Sequence, residues 1–206
     1  REKVRAAVEE SGEFHRASQG ETRFAGVRVR LEPFDGDGPV AVASTLKPGD
    51  LPAGIEQIVR EAVNESAQSG GQTGFPLMHV KFTIRGVEYR ESESDEEALR
   101  AAAAHAVQNA LSSAEIALLE PVMKLEVVTP SEFLGNIQSD LNTRQARIVG
   151  SEHRGDLAVL SAEVPLARMF GYSTQLRSLS QGRASYSMEP LKYDVAPPSV
   201  LEEMLG

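Results

Sequence analysis

The side chains that most often carry out chemistry are scarce and scattered in this sequence. There is no cysteine, which excludes disulfides, thiolate metal sites and cysteine nucleophiles. The four histidines, His15, His79, His105 and His153, fall in four separate predicted elements, and no two have the spacing of a metal-binding pair. No serine stands in a nucleophile elbow. We therefore expect no catalytic, metal-binding or cofactor-binding site in this chain.

Carboxylates are crowded between residues 88 and 97, where six acids and one base, Arg90, occur. One interpretation is a helix start, because Ser94 and Glu97 have the spacing of a capping box and acids in a first turn complement the helix dipole. This interpretation leaves Arg90 and Glu91 unexplained. A run of charge is also usually a solvated surface, so the acids alone indicate no active site.

Arginines near predicted helix ends are better candidates for binding, because such positions suit contacts with phosphate groups. The alternative is ordinary surface charge. The formal net charge of −9 argues against binding nucleic acid over the whole surface, so local basic clusters matter more than the total. The candidates are Arg144, Arg147 and Arg154 around one predicted strand, and Arg177 and Arg183 around a predicted helix end at Gly182.

Composition indicates an ordinary globular protein with one large or two small domains. The chain has 206 residues, of which 41% are hydrophobic and 25% are charged. No apolar run approaches the roughly 20 residues of a membrane-spanning helix, so we expect no membrane association. The absence of cysteine is consistent with a reducing compartment. The first residue is not methionine, and we expect a fragment or a processed chain.

Hydrophobic periodicity predicts two helices and about four strands in the first half of the chain. The strands are expected at 26–31, 40–44 and 77–84, with 3–8 ambiguous between strand and short helix; polar turns are expected at 18–22 and 85–88, and helices at 54–68 and 98–111. We expect this α/β domain, with a four-stranded sheet, to occupy residues 1–120.

The second half has the order strand, helix, strand, strand, helix, strand, which is the split βαβ or ferredoxin-like order. The predicted elements are a strand at 122–128, a helix capped by Thr129 with Pro130 at its first position, strands at 147–150 and 157–164, a helical stretch opened by Pro165 and stopped by Gly182, and a strand at 184–189. We expect this second domain to occupy residues 121–206, which makes the chain a two-domain α/β (α+β) protein.

The segment EVPLARMFGYSTQLRSLSQGRASYSMEPLKYDVAP, residues 163–197, resembles the C-terminal part of translation elongation factor G, in which the pattern is close to VPLxEMFGYxTxLRSxTxGRxxxxMEFxxY. The segment LLEPVMKLEVVTP, residues 118–130, also resembles the family. The resemblance covers the second domain fully and the first more loosely. It implies that residues 1–120 are the fourth domain of such a factor and residues 121–206 the fifth.

This resemblance implies a ribosome-binding part of a translational GTPase that promotes translocation of tRNA and mRNA during elongation. The implied partners are the ribosome, through its rRNA and stalk-base proteins, together with tRNA and mRNA. A cytoplasmic location and a monomeric fragment are expected. In the family the GTPase domain, with GTP and magnesium, precedes this region, and nothing here matches it. We therefore expect the chain itself to be no enzyme and to hold no cofactor.

The resemblance also implies which residues touch RNA. The tip loops of the fourth domain, which reach the decoding region in the family, correspond here to Gly20, Glu21, Thr22, Arg23 and Phe24, and to Tyr89, Arg90 and Glu91. The rRNA-facing residues of the fifth domain correspond to Arg144, Arg147, Arg154, Arg177, Gln181, Gly182 and Arg183. Glu21 stands where the family has an arginine and Arg90 where it has a histidine. A divergent paralogue acting in ribosome recycling or ribosome protection is therefore the alternative.

Overall fold

The computed structural model describes residues 1–18 and 20–205. Gln19, in the predicted polar turn at 18–22, lies outside the described residues. The chain divides into two compact units: Arg1–Leu118 with the C-terminal segment from Pro197 forms the first, and Leu119–Ala196 forms the second. The division expected from the sequence is 1–120 and 121–206.

In chain order the elements are β1 (Glu2–Val4), β2 (Val8–Ser18), β3 (Glu21–Pro33), β4 (Val40–Ser44), α1 (Ile55–Gln68), β5 (Val80–Glu88), α2 (Glu96–Ser113), β6 (Ile116–Pro130), α3 (Leu134–Thr143), β7 (Arg147–Arg154), β8 (Leu157–Pro165), α4 (Tyr172–Leu179), β9 (Ser185–Val195) and α5 (Pro198–Leu205).

A four-stranded sheet with the order β2-β3-β5-β4 organises the first unit. Strands β2 and β3 form a long antiparallel hairpin that pairs continuously from Val8 and Leu31 to Ser18 and Glu21. Strand β5 runs antiparallel to β3, and β4 runs parallel to β5. The hairpin therefore carries Ser18 and Glu21 to the far end of the sheet.

Helix α2 is rich in alanine because it lies very close to strand β2. Ala102 and Ala106 are fully buried, and a Cβ atom added at Gly12 would overlap the backbone of both. Glycine on the strand and alanine on the helix thus permit an approach that larger side chains would block. The core also contains alternating apolar residues of β3 and β5, such as Leu31 and Phe82, and residues of α1 such as Val63.

The second unit is an antiparallel sheet with the order β7-β8-β6-β9. Its buried cluster joins Leu125 and Leu160 of the sheet to Ile137 of α3 and Leu176 of α4. Since the chain order is βαββαβ, this topology is the ferredoxin-like arrangement, and the predicted fold class is confirmed.

The turn predicted at 85–88 is wrong, because these residues form the end of strand β5. Gly86, Val87 and Glu88 pair with residues of β3, and a bulge between Arg28 and Val29 accommodates the irregular register. Glycine at position 86 is a local turn signal, but pairing with a distant strand overrides it.

Two predicted helix starts also differ from the structure. Helix α2 is capped by Asp95, whose carboxylate accepts a hydrogen bond from the Ala98 N–H at 2.8 Å, and not by Ser94. Thr129 and Pro130 are the last residues of strand β6. A 3-10 turn, Ser131–Phe133, then leads into α3 without a side-chain cap.

Helix α4 begins later than the sequence predicts. Pro165 is the last residue of β8, and a 3-10 turn, Leu166–Arg168, separates it from the helix. At the other end, the helix finishes before Gly182, which has a left-handed conformation (φ 76°) and donates its N–H to the Arg177 carbonyl at 2.8 Å. Such a glycine satisfies a terminal carbonyl of the helix.

Candidate nucleic-acid interface

The two predicted tip loops lie side by side at the end of the β2–β3 hairpin. Gly20 takes the left-handed conformation that the turn requires (φ 88°). The Phe24 N–H donates to the Glu93 carbonyl at 3.0 Å, and the Ser94 hydroxyl donates to the Phe24 carbonyl at 2.6 Å. An open depression of about 600 Å³ runs between residues 20–23 and 91–95. The structure therefore brings together the residues predicted at the tip.

Arg23 fastens the hairpin to the start of α2. Its guanidinium lies 3.1 Å from Asp95 and 2.6 Å from Glu97. Asp95 is also the helix cap, so one carboxylate serves both the helix terminus and the ion pair. The sequence does not identify Asp95 or Glu97 as a partner of Arg23, because more than seventy residues of chain separate them from it.

Arg90 fastens the second loop to the hairpin. Its guanidinium carbon lies 3.8 Å from the centre of the Phe24 ring, and its nitrogens lie 2.7 Å from Glu88 and 3.0 Å from Glu93. Hydrogen bonds to Glu88 and then Glu93 raise the pKa of Arg90 above its usual value. Phe24 is only 7% exposed as a result of this packing at an otherwise polar tip.

The tip is consequently acidic, and its arginines are occupied. Between residues 20–24 and 88–97 two arginines face seven carboxylates. Arg23 and Arg90 each contact two of those carboxylates. A phosphate group approaching this tip meets arginines that already have anionic partners, so it competes with those carboxylates for the guanidinium donors.

The predicted residues of the second unit separate into two groups at opposite ends of its sheet. Pro130 pairs with Leu157, and Val128 pairs with Ser185, so the end of β6 lies beside the β7–β8 turn and the start of β9. We call this the basic end; it carries Arg154, Arg177, Gln181, Gly182 and Arg183. Arg144 and Arg147 precede or begin β7 and lie at the other end.

The basic end has accessible cations. Arg154 is 71% exposed and forms an ion pair of 3.4 Å with Glu152, which is equally exposed. Arg183 lies 2.7 Å from Glu132 and 5.4 Å from the centre of the Phe133 ring. Among the described residues, no carboxylate lies within ion-pair distance of Arg177. Exposed pairs of this kind are weak and exchange readily for a phosphate.

The side chain of Arg144 is mostly buried and makes its contacts within the second unit. Its side chain is 17% exposed and lies 2.9 Å from Asp140, which is 14% exposed. It donates to the carbonyls of Arg168 at 2.6 Å and Phe170 at 3.3 Å, and it lies over the ring of Tyr172. Most of its donors are therefore used within the unit.

Arg147, in contrast, is 69% exposed and pairs with Glu163 on the adjacent strand at 2.7 Å. This contact lowers the pKa of Glu163 and raises that of Arg147. Of the two predicted residues at this end of the sheet, only Arg147 is accessible to a partner.

No group of three or more potential metal ligands occurs within residues 1–18 and 20–205. The helices in this part of the chain are too short or too polar to cross a membrane.

Two family models match almost the whole chain. The model described as Elongation factor G, domain IV matches residues 1–115, and the model described as Elongation factor G C-terminus matches residues 117–204. These are C-terminal domains of translational GTPases. The chain is also similar to the crystal structure of ttk003000868 from Thermus thermophilus, at 31% identity and a TM-score of 0.83. The match covers 100% of this chain and 31% of that one.

The chain belongs to the elongation factor G family, which confirms the resemblance found in the sequence. It spans about a third of the length of the solved relative.

Proposed function

We propose that this chain is the ribosome-binding part of a factor that promotes translocation of tRNA and mRNA during elongation. The observation that carries the proposal is the tip, where residues 20–24 and 89–91 lie together at the end of the β2–β3 hairpin. Such a tip suits insertion into a crowded RNA site, because few of its groups need to be ordered on binding. We assign tRNA and mRNA to the tip, and ribosomal RNA to the basic end.

In this proposal GTP and magnesium belong to a part of the factor outside this chain, and the factor works in the cytoplasm. The chain contributes displacement and positioning and carries out no chemical step. Its partners are ribosomal RNA and proteins together with the tRNA–mRNA complex.

The test uses the longer factor that contains this chain, with Arg23→Ala and Arg90→Ala combined. We expect slower single-round translocation, measured by the movement of a fluorescent mRNA, and unchanged ribosome-stimulated GTP hydrolysis. Arg85→Ala is the matched control, because Arg85 is as exposed as Arg23 and also has an ion pair, but lies away from the tip. Translocation at the wild-type rate in the double variant would refute the assignment of the tip.

The acidic tip favours one second candidate, a paralogue that splits ribosomes. Carboxylates close to RNA repel phosphate, so a factor with this tip would hold the tRNA site less firmly than a dedicated translocase. Growth of cells depleted of their main elongation factor G decides between the two. Full rescue by the longer factor would exclude a role restricted to ribosome splitting.

A further inference from the structure

His153 is an exposed histidine of strand β7, one residue before Arg154, at the basic end of the second unit. It pairs with Ala158 of β8, which lies on the same face of that strand as Leu160 of the buried cluster. Because residues paired across two strands share a face of the sheet, the imidazole lies on the side that the helices cover. The 3-10 turn before α3 is on that side too, and its Ser131 contacts the ring.

A hydrogen bond fixes the orientation of this imidazole. Its Nδ1 lies 3.3 Å from the Ser131 hydroxyl oxygen, and this hydroxyl lies 3.1 Å from the Asp156 carbonyl oxygen. Since a carbonyl oxygen can only accept, the hydroxyl donates to Asp156 and receives the N–H of Nδ1. The proton of the neutral ring is therefore assigned to Nδ1. Nε2 is then the nitrogen without a proton, and it has no hydrogen-bond partner within residues 1–18 and 20–205.

Protonation changes what Nε2 can do and leaves the contact with Ser131 in place. The neutral ring presents a lone pair at Nε2, which repels a phosphate oxygen. The imidazolium carries a proton on both nitrogens, so Nδ1 still donates to Ser131 while Nε2 can donate to an anion. Histidine ordinarily changes its charge between about pH 5 and about pH 8. His153 thus gains an outward-facing donor as pH falls through that range.

The charges around His153 make one added proton decisive. The charged side chains of this end come from the turn before α3, from β7 and the turn after it, and from α4 and the segment after it: Glu132, Glu152, Arg154, Asp156, Arg177 and Arg183. Three arginines thus face three carboxylates, so the formal charge of this end is zero while His153 is neutral and +1 once it is protonated. Protonation therefore turns a balanced surface into one that attracts phosphate.

We propose that His153 is a phosphate contact of the basic end that only its imidazolium form makes, so that binding of this end to ribosomal RNA strengthens as pH falls. The inference rests on the proposed function, which assigns ribosomal RNA to this end. A phosphate oxygen accepts from Nε2 and in turn favours the charged ring. The gain in affinity is therefore complete below the pH at which the free ring titrates, and it is lost as pH rises through the higher value of the bound ring.

The test measures the affinity of the longer factor for purified ribosomes at about pH 6 and about pH 8, at one ionic strength. We expect wild-type affinity to be about 5-fold higher at the lower pH, the effect of one exposed ionic contact, beyond any change seen with His153→Asn. His153→Asn keeps an amide at the position of Nδ1 and removes Nε2, so it should retain the Ser131 contact and lose this gain.

His105→Asn is the matched control and should keep the wild-type ratio of affinities. His105 is an exposed histidine of the first unit, and its Nδ1 also has an oxygen partner, the Glu13 carbonyl at 2.8 Å. Equal ratios for the wild type and His153→Asn would overturn the inference and leave the proposed function standing. Failure of the wild-type factor to bind at either pH would overturn the proposed function as well.

The salt dependence of binding distinguishes an RNA phosphate from a carboxylate in the part of the longer factor outside this chain. At about pH 6, the plot of log affinity against log salt concentration should be shallower for His153→Asn than for the wild type by about 0.7 to 0.9, the slope of one phosphate contact. His153→Arg, which keeps a cation at both pH values, should bind about equally at both. Identical salt slopes for the wild type and His153→Asn would show that His153 meets no phosphate.

Discussion

Arg144 is the residue for which a structural role and an RNA-binding role predict the most different effects of mutation. It is 17% exposed, its pair with Asp140 is 2.9 Å long, and it donates to two backbone carbonyls. A hydrogen bond from a charged donor contributes about 1.5 kcal/mol at the low end of its range, so the two carbonyl contacts contribute about 3 kcal/mol. Asp140 is also left with no cation, which adds to the cost.

We therefore expect Arg144→Ala to lower the free energy of unfolding of the second unit by about 3 kcal/mol, measured by urea titration with circular dichroism. Arg154→Ala is the matched control. Because Arg154 is 71% exposed and 3.4 Å from an exposed carboxylate, its loss should change stability by about 0.5 kcal/mol or less.

A double variant shows how much of the lost stability comes from leaving the Asp140 carboxylate without its cation. Replacing Arg144 and Asp140 together by Met and Leu should cost less than Arg144→Ala alone, because no unpaired charge remains buried. If Arg144→Ala and Arg154→Ala unfold at the same urea concentration, then the contacts of Arg144 with Asp140 and with the carbonyls of Arg168 and Phe170 do not stabilise the second unit. Its assignment to ribosomal RNA would then stand as well as that of Arg154.

Two further predictions concern the first unit. Gly12→Ala should destabilise it by about 3 kcal/mol in a thermal melt, because the added methyl group meets the backbone of α2 at Ala106. The comparison variant Gly135→Ala, in α3 of the second unit with open space around it, should be neutral or stabilising for that unit. A hydrogen bond from Lys81 lowers the pKa of Glu32, so stability from this carboxylate is present above pH 4.5 and is lost as pH falls through its lower folded pKa. Glu32→Gln should flatten the fall in stability below pH 4.5, and an unchanged pH profile would contradict the linkage.

The fold of the second unit was predictable because its signals are local. Apolar residues at helical spacing, such as Ile137 and Leu141, and at strand spacing, such as Leu125 and Val127, are buried as their periodicity indicates. Element order then leaves few topologies for a βαββαβ chain. The boundaries were less predictable, because proline at position 130 or 165 is typical of a helix start, yet each one closes a strand that the neighbouring strands extend.

The site residues were less predictable than the fold, because the partner of a charged side chain is set by tertiary structure. Arg144 and Arg154 look alike in the sequence, although one is mostly buried and the other is open to solvent. The capping-box pattern assigns the Ser94 hydroxyl to a helix start, but this hydroxyl donates to the Phe24 carbonyl across the tip. No periodicity encodes such contacts, since each joins segments that are distant in the chain.

Under the proposed function, charge placement is what would let a chain with a formal charge of −9 bind ribosomal RNA. Carboxylates concentrate around Arg23 and Arg90, where they fix the geometry of the tip, whereas Arg154 and Arg177 at the basic end are left accessible. Affinity for ribosomal RNA should therefore reside in the second unit, and the tip should act by occupying space. It follows that raising salt would weaken the basic end first, since exposed arginines bind phosphate through counterion release. The tip is also held by contacts between uncharged groups, such as the hydrogen bond from the Ser94 hydroxyl to the Phe24 carbonyl. Salt does not screen such a contact, so the shape of the tip would persist when affinity has fallen.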